Sequence, residues 1–274
     1  MKIQLCAFAD EASSSLDGQI SALKRNNISL IELRNVNGKN VANFTLEDAT
    51  EIKKKLDENG ISVWSIGSPI GKSKIENDFA VEQARLEHIL DICEVFGTKN
   101  IRVFSFFLDE HEKHRDEVIA RLEKLCAMAK LRGVTLFHEN ERGIYGDIAH
   151  RCIELLDALP DLGCIYDPAN FIQCGQNIDA AMELLLPRMG YYHIKDVCTA
   201  SGTIVPAGHG DGKISAIIEY IRRVGKDCVL SVEPHLKVFP GYEEIDGSEL
   251  KNKFTFKTGD EAFDCAVTAL KELL

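Results

Sequence analysis

Short apolar runs and amphipathic stretches of helical length alternate along the chain. Strand-like runs fall at about 3–8, 28–34, 61–67, 100–107, 134–139, 163–167, 190–194 and 228–233. Stretches with apolar residues recurring every three to four positions fill 13–26, 45–59, 78–97, 114–132, 147–159, 177–187, 214–224 and 259–273. The punctuation agrees: Asn59-Gly60, Gly97, Gly133 and Gly225 sit where helices should end, and Thr45, Asp78 and Asn177 where side-chain N-caps belong. Strands alternating with crossover helices imply a parallel sheet, and eight units with no spare segment predict closure into a (βα)8 TIM barrel rather than an open, doubly wound sheet. The length of 274 residues suits one such α/β domain over 1–274, with no linker to a second. Two connections are long, 195–213 after the seventh strand and 234–258 after the eighth, and long loops on that face of a barrel build or cover the active site. Within 251–264, KNKFTFKTGDEAFD alternates Lys and Phe in a way compatible with a lid, a subunit contact or an extra strand before the last helix.

Four of the apolar runs end on a residue that binds hard cations: Glu139 after VTLFH, Asp167 after GCIY, His193 after GYY and Glu233 after VLSV. A charge at the end of an apolar strand is costly to bury unless it is paired or coordinates a metal. Strand ends do carry structural salt bridges, and for one residue alone that reading would prevail. Four ligand types in register on consecutive strands 5 to 8, at the barrel end where catalytic groups gather, predict a metal site. One imidazole with three carboxylates is a rather hard set that suits one divalent ion, Mn, Mg or Co, with Zn possible.

Composition narrows the partners. A net charge of −11 argues against general nucleic-acid binding, and a small uncharged molecule fits better. No apolar run reaches the roughly 20 residues of a membrane span, and Asp10 and Glu11 interrupt the N-terminal apolar stretch, so a signal peptide is not expected and the cytoplasm is. Nine cysteines without a CxxC pair read as reduced, mostly buried thiols.

The motifs HENE on strand 5, YDPANF on strand 6, YYHIKD on strand 7 and VEPH on strand 8, with the Gly208-His209-Gly210 turn, resemble the xylose isomerase-like TIM-barrel superfamily of sugar isomerases, epimerases and inosose dehydratases. The similarity spans essentially the whole chain. It implies Glu139, Asp167, His193 and Glu233 as metal ligands, with the two glutamates facing each other across a substrate and, as in ketose 3-epimerase-like members, also moving the protons. It implies self-association as a dimer or tetramer.

The chemistry follows from a divalent ion on a carbonyl and its neighbouring hydroxyl, which stabilises the enediolate left when an adjacent C–H proton departs. Glu139 and Glu233 would act as base and acid on opposite faces, giving an isomerase or epimerase of a sugar, keto-sugar or cyclitol. With a β-hydroxyl on the substrate the same route expels water, so a dehydratase of an inosose- or dehydroshikimate-like substrate is the alternative.

Substrate-binding candidates follow from strand alternation. Lys195 shares the face of His193 and could polarise a substrate oxygen or be an ordinary salt-bridged lysine. His235 follows Glu233 by two, across Pro234. Asn170 could donate to a hydroxyl or merely cap a turn, and His209 in its glycine-rich loop is either a pocket or an exposed residue. GHGDGK before a helix could offer N–H groups and Lys213 to a phosphate, although glycine there equally serves a tight turn. Trp64 reads as core packing, and Glu32 and Arg34 as an ion pair or substrate contacts. An apurinic-site endonuclease, with three zinc ions and extra histidines, is disfavoured because Asn170, Arg34 and Ser68 stand where histidines would be needed; a non-catalytic metal-binding barrel is the remaining alternative.

Overall fold

The computed structural model describes residues 1–238 and 256–274. Eight parallel strands, β1 (Ile3–Ala7), β2 (Leu30–Leu33), β3 (Ser62–Ile66), β4 (Asn100–Val103), β5 (Thr135–Glu139), β6 (Leu162–Tyr166), β7 (Tyr191–Ile194) and β8 (Cys228–Val232), close into one barrel in which β8 pairs with β1. Around it lie α1 (Leu16–Arg25), α2 (Leu46–Glu58), α3 (Phe79–Phe96), α4 (His111–Leu131), α5 (Ala149–Ala158), α6 (Ile178–Leu185), α7 (Ile214–Val224) and α8 (Gly259–Leu273). The predicted barrel is thus the observed one. No helix among the described residues is long and apolar enough to cross a membrane.

Local chemistry sets the helix boundaries. Thr45 accepts the Asp48 N–H while Asp48 accepts the Thr45 N–H, a reciprocal capping box, and Asp78 and Asn177 cap α3 and α6 through their side chains. Gly97 and Gly225 end α3 and α7 at φ 72°, the left-handed conformation that glycine adopts without strain.

Two hydrophobic layers hold the barrel. The larger lies between strands and helices, where Ile31, Leu33, Ile66, Ile101, Leu136 and Leu230 meet apolar helix faces. The smaller fills the barrel itself: Cys6, Ile165, Tyr191 and Val229, with Trp64 and Phe137 packed against them. Trp64 is therefore a packing residue, edge-on to Tyr191 with ring centroids 6.0 Å apart. Because side chains alternate along a strand, three of the interior residues are followed two positions later by a cluster residue at the carboxyl-end mouth: Phe137 by Glu139, Ile165 by Asp167, Tyr191 by His193. Burying a filled apolar plug beneath a polar ring is what forces charged residues to the mouth.

Three departures from the predicted elements matter. The apolar run 100–107 is a strand only to Val103; beyond it the chain leaves the barrel, with Phe106 at φ 65° and Phe107 bridging to Lys74 and Ile144. A short helix, Pro168–Gln173, follows β6, capped by Asp167 itself. The connection 195–213 contains an antiparallel pair, Asp196–Cys198 with Thr203–Val205. Of the Lys/Phe segment, 251–255 lies outside the described residues, and from Gly259 the chain is α8.

Candidate metal centre

Glu139, Asp167, His193 and Glu233 converge at the mouth of β5 to β8. All are buried, and each offers one ligand atom within 4.8 Å of the others. Two carboxylate oxygens in this cluster, Glu139 Oε2 and Asp167 Oδ2, are buried and accept no hydrogen bond. The cations nearest to them, Arg102 Nη1 at 3.2 Å and Lys195 Nζ at 3.0 Å, sit at ion-pair distance without hydrogen-bond alignment. Orphaned lone pairs converging in a buried pocket are costly by themselves and suit a cation that accepts ligands from several directions. The residues present therefore fit a divalent ion.

His193 is prepared for that role from behind. Its Nε2 lies 3.1 Å from Glu32 Oε2 and its Nδ1 2.8 Å from Glu139 Oε1. Glu32 is held by the Tyr191 hydroxyl (2.9 Å) and the Ser231 hydroxyl (2.7 Å), both of which donate to it. Burial opposes protonation of His193, but Glu139 and Glu32 outweigh it and hold the ring in its cationic form; were a divalent ion to take the place of the Nδ1 proton, Glu32 would keep Nε2 protonated, which is the tautomer a metal ligand requires. The sequence-based pairing of Glu32 with Arg34 is not what forms; the two residues serve different partners.

Arg34 instead closes a buried ion network. Its guanidinium donates to both oxygens of Asp10 (2.9 and 3.0 Å), to Glu11 (3.2 Å) and to Glu233 Oε1 (3.0 Å). Such a network keeps charges in place at a buried site by satisfying them mutually, at little net gain in stability. Lys195 spans Asp167 and Glu233 (3.3 Å to the latter), so it does share the mouth with His193.

The electrostatics follow from these contacts. Burial opposes ionisation of Glu139, but His193 and Arg102 beside it outweigh that and hold its carboxyl down at about 2. Burial likewise opposes ionisation of Glu233, and Lys195 and His235 keep it well below the usual range. Asp167 goes the other way: burial, only partly offset by Lys195 and reinforced by Glu139 and Glu233, pushes it up to about 6. A set of carboxylates that repel one another this closely is one that a divalent cation would relieve.

The remaining sequence candidates separate. His235 is buried beside the cluster, its backbone N–H donating to Glu11 (2.7 Å) and its Nε2 3.5 Å from Glu233, on a backbone at φ 45°. Asn170 is buried, its side-chain amide donating to the Asn140 carbonyl (2.9 Å) while Asn140 brackets the Asp167 backbone, so the two asparagines tie the end of β5 to that of β6. His209 is exposed on its loop. The glycine-rich loop does form an anion-binding concavity, but the chain fills it. Asp196 Oδ1 accepts the N–H of Val197 (2.9 Å) and Gly212 (2.8 Å), and its Oδ2 accepts those of Gly208 (2.9 Å) and Gly210 (3.0 Å). Lys213 pairs with Asp179. The glycine N–H groups that a phosphate would use are taken by Asp196.

The residue that sequence reasoning missed is Arg102 on β4. It is buried and lies between the cluster, at Glu139, and the β1 to β3 side of the mouth. A charged residue inside the apolar run NIRVF was the available signal.

Fold and cluster together define a TIM-barrel protein whose mouth carries a buried carboxylate–imidazole set fit for a divalent ion. A family model described as xylose isomerase-like TIM barrel matches residues 20–251, and the chain belongs to that family. Among solved structures it resembles an IolI protein with a bound zinc atom (17% identity, TM-score 0.74, covering 100% of this chain and 98% of that one). It also resembles the probable 3-DHS dehydratase AsbF from Bacillus anthracis (18%, 0.70, 100% and 98%) and a D-allulose 3-epimerase from Methylomonas sp. (14%, 0.75, 100% and 98%). At these identities the likeness establishes the fold. No curated protein sequence matches the chain.

Proposed function

We propose that the protein is a divalent-metal-dependent isomerase or epimerase of a small polyhydroxylated carbonyl compound (a sugar, keto-sugar or cyclitol), moving a proton at the carbon beside the carbonyl. The observation that carries this reading is the buried cluster of Glu139, Asp167, His193 and Glu233 with its two orphaned carboxylate oxygens. These four residues would hold the ion. When bound, it supplies positive charge where a carbonyl oxygen becomes negative and so acidifies the neighbouring C–H.

The chain's own residues do the rest. Within the cluster Glu139 comes from the end of β5 and Glu233 from just beyond β8, each a carboxylate that can take or give a proton. One takes the carbon-bound proton, and the other, in its acid form, returns a proton from its own side, which inverts the centre. Return to the adjacent carbon gives isomerisation instead. Lys195 orients a substrate oxygen through its ammonium, and Arg34 and Arg102, paired with Glu233 and Glu139 respectively, hold the two carboxyl groups in position.

A dehydratase is the second reading, favoured by Lys195. Its ammonium lies beside Asp167 and Glu233 and can donate a proton to a departing hydroxyl, with the glutamate as base. A metal-binding protein without turnover would keep the cluster and have no activity to lose on glutamate substitution.

The first test is metal content of purified protein and of His193→Ala after reconstitution with Mn and with Zn. About one tightly held ion in the wild type, lost or weakened in the variant, supports the site; three ions would point to nuclease-type chemistry. Keto-sugars and inososes are then screened for solvent-deuterium incorporation. Glu139→Gln and Glu233→Gln should each lower turnover by roughly 100-fold or more, and full turnover in both sinks the mechanism.

A further inference from the structure

The mouth of the barrel is divided by charge. The carboxylates and His193 that would hold an ion sit on β5 to β8, whereas a cavity of about 260 Å³ on the β2 to β4 side is walled by four cations, Arg34, Lys72, Arg85 and Arg102. No carboxylate lines it among the described residues. The counter-charges stand behind the cations: Asp10 and Glu11 behind Arg34, Glu141 behind Lys72 and Glu82 behind Arg85. Each head group is thereby held by an ion pair, while the charged residues that line the cavity itself are all cations.

Aromatic rings fix the same cations from a second direction. The Arg34 guanidinium lies 4.4 Å from the Phe8 ring centroid, Arg102 lies 5.0 Å from Phe8 and 4.9 Å from Phe104, and the Lys72 ammonium lies 4.5 Å from Phe104. Cation and ring alternate through five side chains, from Arg34 to Lys72. Arg102, sandwiched in the middle and buried, keeps an Nε with no hydrogen-bond partner among the described residues. A guanidinium ordered at this cost, with donor capacity unused, is suited to a planar or tetrahedral oxyanion.

The cavity and the candidate metal centre share a wall. Arg34 reaches Glu233 and Arg102 reaches Glu139, and both also line the cavity. Asn35, Asn40 and Asn43 complete the lining with amide groups of the kind that bind hydroxyls. The volume lies below the roughly 300–1,000 Å³ typical of drug-sized ligands, so it fits part of a small, polar molecule.

Building on the proposed function, we infer that the substrate is anionic: a polyhydroxylated carbonyl compound carrying a carboxylate or a phosphate, which lodges among Lys72, Arg85 and Arg102 while the reacting carbons lie at the carboxylate cluster. The acidic net charge of the whole chain, which favours an uncharged ligand, is offset locally by this wall.

The test uses the full-length protein, metal-free and Mn-loaded, titrated calorimetrically with D-fructose, D-fructuronate and D-fructose 6-phosphate. At least one of the two anionic compounds should bind tenfold or more tightly than D-fructose, and whichever does so identifies carboxylate or phosphate as the recognised group. The preference should weaken with added salt and fall at least tenfold in Lys72→Met and Arg85→Gln. Both substitutions lie away from the metal cluster, so metal content should be unchanged, and a near-UV circular dichroism spectrum checks the fold. Failure of both anions to exceed D-fructose overturns the inference, as does a preference that survives in both variants. The metal reading is judged separately from the ion content of the same samples. Anion preference without tight metal would leave the cavity assignment standing and remove the metal mechanism, and tight metal without preference would do the reverse.

Discussion

Asp196 is a single side chain around which the glycine-rich loop after β7 is wound, and replacing it should show how much of the mouth depends on that. Each carboxylate oxygen accepts two backbone N–H groups. The bonds to Val197 and Gly212 are buried, and as charge-assisted bonds they contribute ~1.5–2 kcal/mol each. Those to Gly208 and Gly210 are partly exposed and water replaces much of them, leaving ~0.5 kcal/mol each. Asp196→Ala should therefore cost ~4–5 kcal/mol, a fall in Tm of roughly 10–15 °C for a chain of this size. Asp196→Asn is the sharper probe. Whichever way the amide turns, its NH2 faces two N–H donors, so this near-isosteric change should still cost ~2 kcal/mol or more. Burial pushes the Asp196 carboxyl up and the four N–H groups hold it back, which is why charge as well as shape is needed. Glycine is required at the loop for the same reason: a Cβ on Gly210 would stand 2.4 Å from Asp196 Oδ1. Urea unfolding followed by fluorescence and circular dichroism gives the cost. An Asn variant as stable as wild type, or an Ala variant within ~1 kcal/mol of it, would refute the reasoning. Lys195 precedes Asp196, so both variants should also lose turnover once a substrate is in hand.

Three further expectations follow from particular contacts. Glu32→Gln should weaken metal binding about 10–100-fold by loosening the His193 tautomer, read by competition with a chelator; unchanged affinity would show that Glu32 only packs. Gly71→Ala should cost more than ~2 kcal/mol in urea unfolding, because Gly71 has φ +81° and an added Cβ would meet the Phe104 carbonyl oxygen at 2.1 Å; a wild-type midpoint would contradict it. Asp48, hydrogen-bonded to Lys39 and to Thr45, has its pKa drawn down from 3.8 to about 2 in the folded chain, so its contribution is full above pH ~4 and is lost as pH falls through about 2. The stability gap between wild type and Asp48→Asn should accordingly close over that window, and a gap constant from pH 5 to 2 would argue against it.

Most of the barrel was legible because its two periodicities are clean. The eight runs that alternate with amphipathic stretches became the eight strands, and caps such as Thr45 and Gly97 fell where their chemistry requires. The four cluster residues were legible for a related reason: each ends an apolar strand, and only a mouth position can hold a charge there. Arg102 obeys the same rule, but the apolar run continues through Phe107, so the strand looked longer than it is and Arg102 looked internal to it. The extra hydrophobicity of Phe104 and Phe106 serves packing above the barrel, beyond the strand end at Val103. Asp10 and Glu11 were visible only as breaks in an apolar stretch, since their partner Arg34 lies 23 and 24 residues away and pairing across β1 and β2 needs the closed barrel. The glycine-rich loop misled because backbone N–H groups signal an anion without saying whose; here it is Asp196, which no periodicity marks.

The division of the mouth by charge also divides the chain. Every cation of the cavity wall comes from the first 102 residues, and every residue of the metal cluster from 139 onward. The cationic wall and the carboxylate–imidazole cluster thus come from separate, contiguous stretches of the polypeptide that meet at the barrel mouth. A chimera joining the β1–β4 half of one family member to the β5–β8 half of another would exchange the cationic wall while keeping the four cluster residues, provided the incoming half carries counterparts of Glu32, Arg34 and Arg102, which contact them.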